Sequence, residues 1–222
     1  MSISSHLKNI QHKIKSHSPY HEVRLIGVSK YHNENKLKEA YQAGIRNFGE
    51  SYLQEALTKI SALSDFKDIV WHFIGPIQSK KSKQIAENFD WVQSVSREKV
   101  ALKLNNSRPQ NLNPLNVLVQ VNISNDSEKS GLSIEEAEAL ALKITNLQRL
   151  RLRGIMCIPA NYENDLQIAN DFNKMKQFYD HLQSRFKHVD TLSMGMSQDF
   201  TLAIEQGSNM VRIGSSLFGK RY

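Results

Sequence analysis

A single lysine ends an apolar run of strand length near the start of the chain. Residues 23–30 read VRLIGVSK, so Lys30 takes the last position of a segment that is otherwise suited to a buried strand. An unpaired ammonium is costly to remove from water, and a lysine amine in such surroundings can become nucleophilic enough to form a Schiff base with a carbonyl group. The alternative interpretation of this stretch alone is a lysine at a strand end that reaches into solvent.

Two segments late in the chain combine glycine and serine in the manner of anion-binding loops. Residues 193–197 read SMGMS, with Gly195 suited to close backbone approach and Ser197 placed to cap the following helix. Residues 214–216 read GSS and offer amides and hydroxyls at the start of another helix. Ordinary helix capping is the alternative for both loops.

An arginine just before the second of these loops is expected to share the site. On an alternating strand, Arg212 lies on the face opposite to Val211 and Ile213, which suit a layer of helices. The guanidinium then points inward and needs an acceptor. The same parity groups Lys30 with Val28 on strand one. An amine, a guanidinium and a phosphate cradle are together what a pyridoxal 5'-phosphate (PLP) site requires.

Strands and helices alternate along the whole chain, as a barrel would need. An N-terminal helix is predicted over 3–15, and Pro19 separates it from the first strand. Eight strands are then predicted, over 23–29, 47–49, 70–74, 90–95, 115–121, 152–158, 191–194 and 210–213. Helices are predicted between and after them, over 33–43, 51–61, 80–88, 97–105, 133–145, 165–186 and 199–206, with a last turn from 216.

This count predicts the fold class and places the chemistry within it. Eight strand–helix units with one extra N-terminal helix are the count of a single (β/α)8 TIM-type barrel, and no break in composition divides residues 1–222 into two domains. Functional groups in such barrels lie at the C-terminal ends of the strands. That rule selects one residue or short segment after each of six strands: Lys30, Gly49 with Glu50, Gly75, Asn122, Met194 to Ser197, and Gly214 to Ser216.

Composition limits the classes of partner that the protein is expected to bind and indicates its cell compartment. No apolar run approaches membrane-spanning length, and the first residues lack the basic and apolar blocks of a secretion signal. Cys157 is the only cysteine, so a reducing, cytoplasmic location is expected. The net charge of +7 is spread over solvated faces without interleaved aromatics, which argues against nucleic acid. No histidine pair has metal-ligand spacing with supporting carboxylates, so no metal is assigned.

Five motifs, taken in order over nearly the whole chain, resemble the pyridoxal phosphate homeostasis protein family. They are VSK at 28–30, NFGE at 47–50, WHFIGPIQSKK at 71–81, SMGMS at 193–197 and GSNMVRIG at 207–214. The resemblance implies a fold-type III PLP barrel, similar to the N-terminal domain of alanine racemase. It also implies a monomer that handles PLP in the cytoplasm, with PLP-requiring apo-enzymes as potential partners.

The resemblance further implies a role for each site residue. PLP would be bound covalently to Lys30 as an internal aldimine. Ser197, Gly214 and Ser215 would hold its phosphate, and Arg212 would face its pyridine nitrogen. The remaining implied residues are Asn47 and Met194 near the ring, and Lys129, which matches a family lysine implicated in handling the cofactor.

The sequence departs from the family pattern beside Lys30. Tyr31, His32 and Asn33 follow it where the family commonly has Thr-Lys-Pro, so a neighbouring lysine that could take over the cofactor is missing. Ser51 replaces the asparagine that usually ends the second motif, and the sequence ends at Tyr222 without a longer basic tail. These differences bear on a release mechanism that passes the cofactor between adjacent lysines, and not on binding.

Three functions remain open at this stage. The first is a carrier that stores, buffers or delivers PLP. The second is a PLP-dependent amino-acid racemase-like enzyme, and the third is a Schiff-base aldolase that uses Lys30 directly on a sugar phosphate. An arginine at the pyridine nitrogen would weaken the ring as an electron sink, and 222 residues leave no room for the extra β-domain of such racemases. His72 is the remaining candidate for a second base, although a strand residue with a satisfied hydrogen bond is the simpler interpretation. The carrier is therefore favoured.

Overall fold

The computed structural model describes residues 2–18, 22–162 and 164–219, and within them eight parallel strands close into a barrel. Each strand pairs with its neighbours in chain order, and the eighth returns to pair with the first. The strands are β1 (Arg24–Val28), β2 (Asn47–Glu50), β3 (Val70–Phe73), β4 (Trp91–Val95), β5 (Leu115–Val121), β6 (Leu150–Cys157), β7 (Thr191–Ser193) and β8 (Met210–Ile213). The predicted (β/α)8 barrel is therefore confirmed.

Helices surround the barrel, and most begin or end within two residues of the predicted positions. They are α1 (Ile3–His17), α2 (Glu34–Gln42), α3 (Leu53–Ala62), α4 (Ser82–Asn88), α5 (Glu98–Ser107), α6 (Ile134–Thr145), α7 (Asp165–Arg185), α8 (Phe200–Glu205) and α9 (Ser215–Phe218). The helix predicted from residue 80 opens instead with a 3-10 turn over Ser79–Lys81. Pro19 and the last three residues, 220–222, lie outside the described residues.

The extra helix α1 follows the amphipathic pattern of its sequence. Its four periodic apolar residues, Ile3, Leu7, Ile10 and Ile14, are all buried, and each such side chain contributes about 2 kcal/mol on burial. The helix packs against α8 and α9, and the Nδ1 atom of His6 lies 3.0 Å from the carbonyl oxygen of Leu217. Through α9, the helix supports the chain that leaves β8.

The core has two layers, and strand alternation assigns each side chain to one of them. The larger layer lies between the barrel wall and the helices and includes Val211 and Ile213. A smaller cluster fills the barrel itself and consists of Ile26, Trp91, Leu118, Met156 and Met210. Because neighbours of Arg212 on both sides belong to the outer layer, the arginine side chain is directed into the barrel. No described helix is both long enough and apolar enough to cross a membrane.

Candidate functional site

A cavity of about 500 Å³ opens at the C-terminal mouth of the barrel. Its volume lies within the range of small-molecule sites. Five of the seven predicted site residues line it: Lys30, Ser197, Arg212, Gly214 and Ser215. Residues separated by up to 185 positions in sequence therefore meet at one place, as the barrel topology predicts.

Lys30 enters the cavity from the end of β1. It follows the strand by two residues and is half-buried. Val28, which shares its face, also lines the cavity, and Ile26 lies below in the barrel interior. Among the described residues, the Lys30 amine has no hydrogen-bond or ion-pair partner. An amine without a protein partner is suited to react with, or bind to, a ligand in the cavity.

Arg212 is buried, with 4% of its surface exposed, and it reaches the cavity floor from β8. Its guanidinium donates one hydrogen bond to Ser193 Oγ at 2.6 Å and one to the carbonyl oxygen of Cys157 at 2.8 Å. Burial lowers its pKa from the usual arginine value, although a guanidinium stays charged at neutral pH. Two of five N–H donors are thus used within the described chain, so others remain for a ligand.

A chain of buried side chains runs from Arg212 across the barrel interior. The Ser193 hydroxyl donates to Gln93 Oε1 at 2.7 Å, and Gln93 Nε2 donates to His72 Nδ1 at 3.0 Å. His72 Nε2 then donates to Asn47 Oδ1 at 3.0 Å. The amide of Gln93 can donate only from its nitrogen, so these bonds require the neutral His72 tautomer with its proton on Nε2. Burial lowers the pKa of His72 well below its usual value, which agrees with a neutral ring.

The two glycine- and serine-containing loops are joined through Ser197. Its Oγ accepts hydrogen bonds from the backbone amides of Gly214, at 3.3 Å, and of Ser216, at 3.4 Å. The predicted role of Ser197 as a cap of the next helix is wrong, because α8 has Asp199 at its N-cap and no side-chain capping bond. Ser197 instead brings the amides of the β8–α9 loop to the cavity, and a phosphate could accept from the same groups.

Gly195 serves the packing of this region in a different way from the one predicted. Its φ angle is +96°, which an L-residue rarely adopts. A Cβ atom built at this position would lie 2.7 Å from the Cβ of Ala203 and 3.0 Å from the Cα of Phe200. The close approach that requires glycine is therefore to α8, and not to the cavity.

The structure does not bring two of the predicted residues to the cavity wall. Asn47 lies at the start of β2 and binds His72 in the barrel interior. Met194 is fully buried in the outer layer, because strand alternation turns Ser193 inward and Met194 outward. Lys129 lies in the loop between β5 and α6, half-buried, and does not line the cavity.

Two residues that sequence reasoning missed do line the cavity, Tyr162 and Asp199. The Tyr162 hydroxyl donates to the buried carboxylate of Asp171 at 2.9 Å, and Ser124 Oγ donates to the same oxygen. Burial raises the pKa of Asp199, whose carboxylate accepts from the amide of Met196. Both residues stand on connections after strands, so the barrel rule could have selected these loops but not the individual side chains.

The residues after Lys30, where the sequence departs from its resemblance, are structurally engaged. Asn33 caps α2 by accepting from the amide of Lys36 at 3.1 Å. The rings of Tyr31 and Tyr52 lie 5.1 Å apart, and the ring of His32 stacks on Phe218. These three positions therefore have local structural roles.

Comparison with known proteins agrees with this geometry. The model of the alanine racemase N-terminal domain family matches residues 5–222. The chain is 46% identical to the pyridoxal phosphate homeostasis protein of Vibrio alginolyticus over 99% of each chain. It belongs to the pyridoxal phosphate homeostasis protein family. The pyridoxal phosphate homeostasis protein of Haemophilus influenzae is 44% identical, with 100% of this chain and 97% of that one covered.

A solved member of the fold gives the structural comparison. The structure of PipY from Synechococcus elongatus with PLP bound has a TM-score of 0.88 and 32% identity to this chain, covering 98% of this chain and 100% of that one. The family resemblance on the sequence motifs is thus confirmed, as is the alanine racemase-like barrel.

Proposed function

We propose that this protein binds PLP and serves its homeostasis by storing, buffering or delivering the cofactor, which it holds covalently on Lys30. One observation carries the proposal. A lysine amine, a buried arginine and a serine-bridged set of amides converge in one cavity, within a family whose members are named pyridoxal phosphate homeostasis proteins.

The donor set fits the chemistry of PLP group by group. The cofactor brings an aldehyde, a phosphate and a pyridine ring that can act as an electron sink. Lys30 supplies the amine for the aldehyde, and Arg212 supplies N–H donors toward the ring nitrogen. Ser197, Gly214 and Ser215 supply hydroxyls and amides for the phosphate. For Asn47 and Met194 we propose supporting positions in the barrel interior and outer layer.

The same residues favour holding the cofactor over catalysing with it. A guanidinium that donates to the pyridine nitrogen keeps that nitrogen unprotonated and so weakens the ring as an electron sink. His72, the histidine considered as a second base, is buried and bonded on both ring nitrogens. It cannot reach a substrate carbon without breaking these bonds.

A racemase-like enzyme is the alternative, and Tyr162 is the observation that favours it. Its side chain lines the cavity that Lys30 enters, so it could supply the second proton-transfer group that racemisation needs. The Tyr162 hydroxyl donates its proton in a hydrogen bond to Asp171. This bond orients the hydroxyl, but it must break before the proton can be transferred to a substrate. Assays of both activities therefore separate the two functions.

The test begins with the absorption spectrum of the protein loaded with PLP. We expect the visible band of a Schiff base and one cofactor per chain, both lost in Lys30→Ala and retained in Lys36→Ala, a control on the exposed face of α2. An unchanged band in Lys30→Ala would contradict the proposal. Recovery of activity by an apo-enzyme mixed with the loaded protein would support delivery. Racemisation of free amino acids that depends on Lys30 and Tyr162 would support the alternative.

We also propose a monomer in the cytoplasm, with PLP-requiring apo-enzymes as potential partners. The single cysteine supports a reducing compartment. Cys157 is buried in β6, and burial raises the pKa of its thiol to about 12. A thiol in this state acts as a small hydrophobic group, as its position in the sequence predicts.

A further inference from the structure

A buried cluster of charged side chains lies directly behind Lys30. The Lys59 Nζ atom, on α3, donates to Glu50 Oε1 at 2.7 Å and to Glu55 Oε1 at 2.5 Å. The side chains of Lys59 and Glu50 are 4% and 0% exposed, and that of Glu55 is 27% exposed. None of the three lines the cavity, so the proposed function leaves the cluster unexplained.

The cluster holds the residue before Lys30 through two bonds. Lys59 Nζ donates to the carbonyl oxygen of Ser29 at 2.7 Å, and the Ser29 hydroxyl donates to Glu50 Oε1 at 2.6 Å. The Ser29 amide completes the attachment by donating to the carbonyl oxygen of Gly49 at 3.0 Å. Ser29, the residue that leads into Lys30, is therefore held by a cation at its carbonyl oxygen and by an anion at its hydroxyl.

The same cluster holds the residue after Lys30. The amide of Tyr31 donates to Glu55 Oε1 at 2.5 Å. Tyr31 has a φ angle of +68°, a conformation that non-glycine residues rarely adopt and that surrounding contacts must maintain. The carboxylate of Glu55 thus accepts hydrogen bonds from Lys59 and from the Tyr31 amide. Together with the bonds at Ser29, it fixes the backbone on both sides of Lys30.

Stability alone is a poor reason for such a cluster. Burial raises the pKa of Glu50, and its Oε2 atom has no hydrogen-bond partner in the described structure. Removing charges from water costs about as much as their attraction returns, so well-packed apolar residues would stabilise the fold equally well. Directed hydrogen bonds to the backbone at Ser29 and Tyr31 are what apolar residues could not provide.

We infer that Glu50, Lys59 and Glu55 are positioning residues that fix the backbone on both sides of Lys30 and so aim its amine at the aldehyde of a bound PLP. This inference rests on the proposed function. It assigns to these side chains no contact with the cofactor. It therefore predicts that their loss affects the bond to Lys30 and leaves the phosphate and ring contacts unchanged.

A double-mutant cycle tests this with PLP itself as the probe. The dissociation constant is measured by equilibrium dialysis for Lys59→Met in the wild-type background and in the Lys30→Ala background. We expect about tenfold weaker binding in the first, equivalent to about 1.4 kcal/mol of coupling, and no change in the second. Equal weakening in both backgrounds, or no weakening in either, would overturn the inference.

An analogue without the aldehyde gives an independent readout. Pyridoxine 5'-phosphate presents the same phosphate and ring but cannot form a Schiff base. Lys59→Met should weaken the binding of PLP and leave the binding of pyridoxine 5'-phosphate unchanged, whereas a general structural disturbance would weaken the binding of both. Lys176→Met, which removes an exposed i,i+4 ion pair with Asp180, is the matched control and should affect neither ligand.

Two further variants keep the test decisive if Lys59→Met does not fold. The pair Lys59→Met with Glu50→Gln removes the two most buried charges together, so the only charge of the cluster that loses its partner is the partly exposed Glu55 carboxylate. Glu55→Gln weakens the attachment of Tyr31 and the ion pair with Lys59 from the more exposed side, and it leaves the pair of Lys59 with Glu50 in place. The dissociation constants of PLP and of pyridoxine 5'-phosphate are measured for each of these variants in the same way. If Lys30→Ala itself changes neither the band nor the affinity, the proposed function fails together with the inference; if it changes both and the effects of Lys59 are additive, only the inference fails.

Discussion

Acid should destabilise this protein through His72 at the centre of the barrel. The ring is fully buried, bonded on both nitrogens, and neutral because burial lowers its pKa well below 6.5. In the unfolded chain the same ring titrates near 6.5. Above that pH neither state holds the proton, and the contribution to stability is fully present. Below it the unfolded state takes up a proton that the folded state does not, so stability is lost as the pH falls.

The size of the effect follows from the linkage. Each pH unit below 6.5 costs about 1.4 kcal/mol for one group, so the loss between pH 6.5 and pH 5 is about 2 kcal/mol. His72→Gln removes the titration and keeps an acceptor for Gln93 and a donor for Asn47. It also loses the ring stacking on Trp91, at 5.4 Å between centroids, which costs about 1 kcal/mol at every pH.

Urea unfolding of the cofactor-free protein, followed by circular dichroism from pH 7.5 to pH 5, measures this difference. The difference in the free energy of unfolding between the wild type and His72→Gln should decrease by about 2 kcal/mol between pH 6.5 and pH 5. His12→Gln, at an exposed position of α1, should keep the pH dependence of the wild type. Parallel curves for the wild type and His72→Gln would refute the assignment of a buried, neutral His72.

Three further predictions concern the loops and the core. Gly195→Ala should lower the free energy of unfolding by about 3 kcal/mol in urea titrations, because it adds a Cβ at a φ of +96° beside Ala203; a loss below about 0.5 kcal/mol would contradict the packing described. Ser197→Ala should raise the PLP dissociation constant about tenfold, because the amides of Gly214 and Ser216 lose the hydroxyl that holds them in place, and an unchanged constant would contradict the phosphate cradle. Cys157 should resist iodoacetamide at pH 8 in the folded protein and react in urea, as mass spectrometry would detect; rapid labelling of the folded protein would contradict its burial.

Strand alternation and the barrel rule predict much of the site from sequence. The inward direction of Arg212 follows from its apolar neighbours Val211 and Ile213, and the structure places these two in the outer layer. The meeting of Lys30 with the two late loops follows from closure of the barrel, since β1 pairs with β8. Both inferences depend only on periodicity and topology, which local sequence encodes.

Side-chain partners chosen across loops could not be predicted in this way. Ser197 has the pattern of a helix cap, but its Oγ accepts from amides on the next loop, and only the three-dimensional path of the chain decides between these partners. Met194 fails to reach the cavity because it follows the inward-facing Ser193 at the end of β7 and is turned into the outer layer. Strand phase at such a short segment is weakly specified by sequence.

The charged cluster behind Lys30 could not be predicted from the sequence as a whole, although two features of it are visible there. Glu55 and Lys59 have the i,i+4 spacing of an ordinary surface ion pair on a helix. Glu50 is the last residue of β2, and the barrel rule selects it from sequence. Lys59 is buried where it bonds to Ser29 after β1 and to Glu50 of β2, and these partners lie on other segments of the chain.

Reductive trapping shows whether PLP is bound covalently through Lys30. The protein loaded with PLP is treated with borohydride, digested and analysed by peptide mass spectrometry. We expect a phosphopyridoxyl group on Lys30 alone, at about one per chain. A stable adduct on a different lysine, or no adduct in a protein that retains its cofactor, would contradict this expectation.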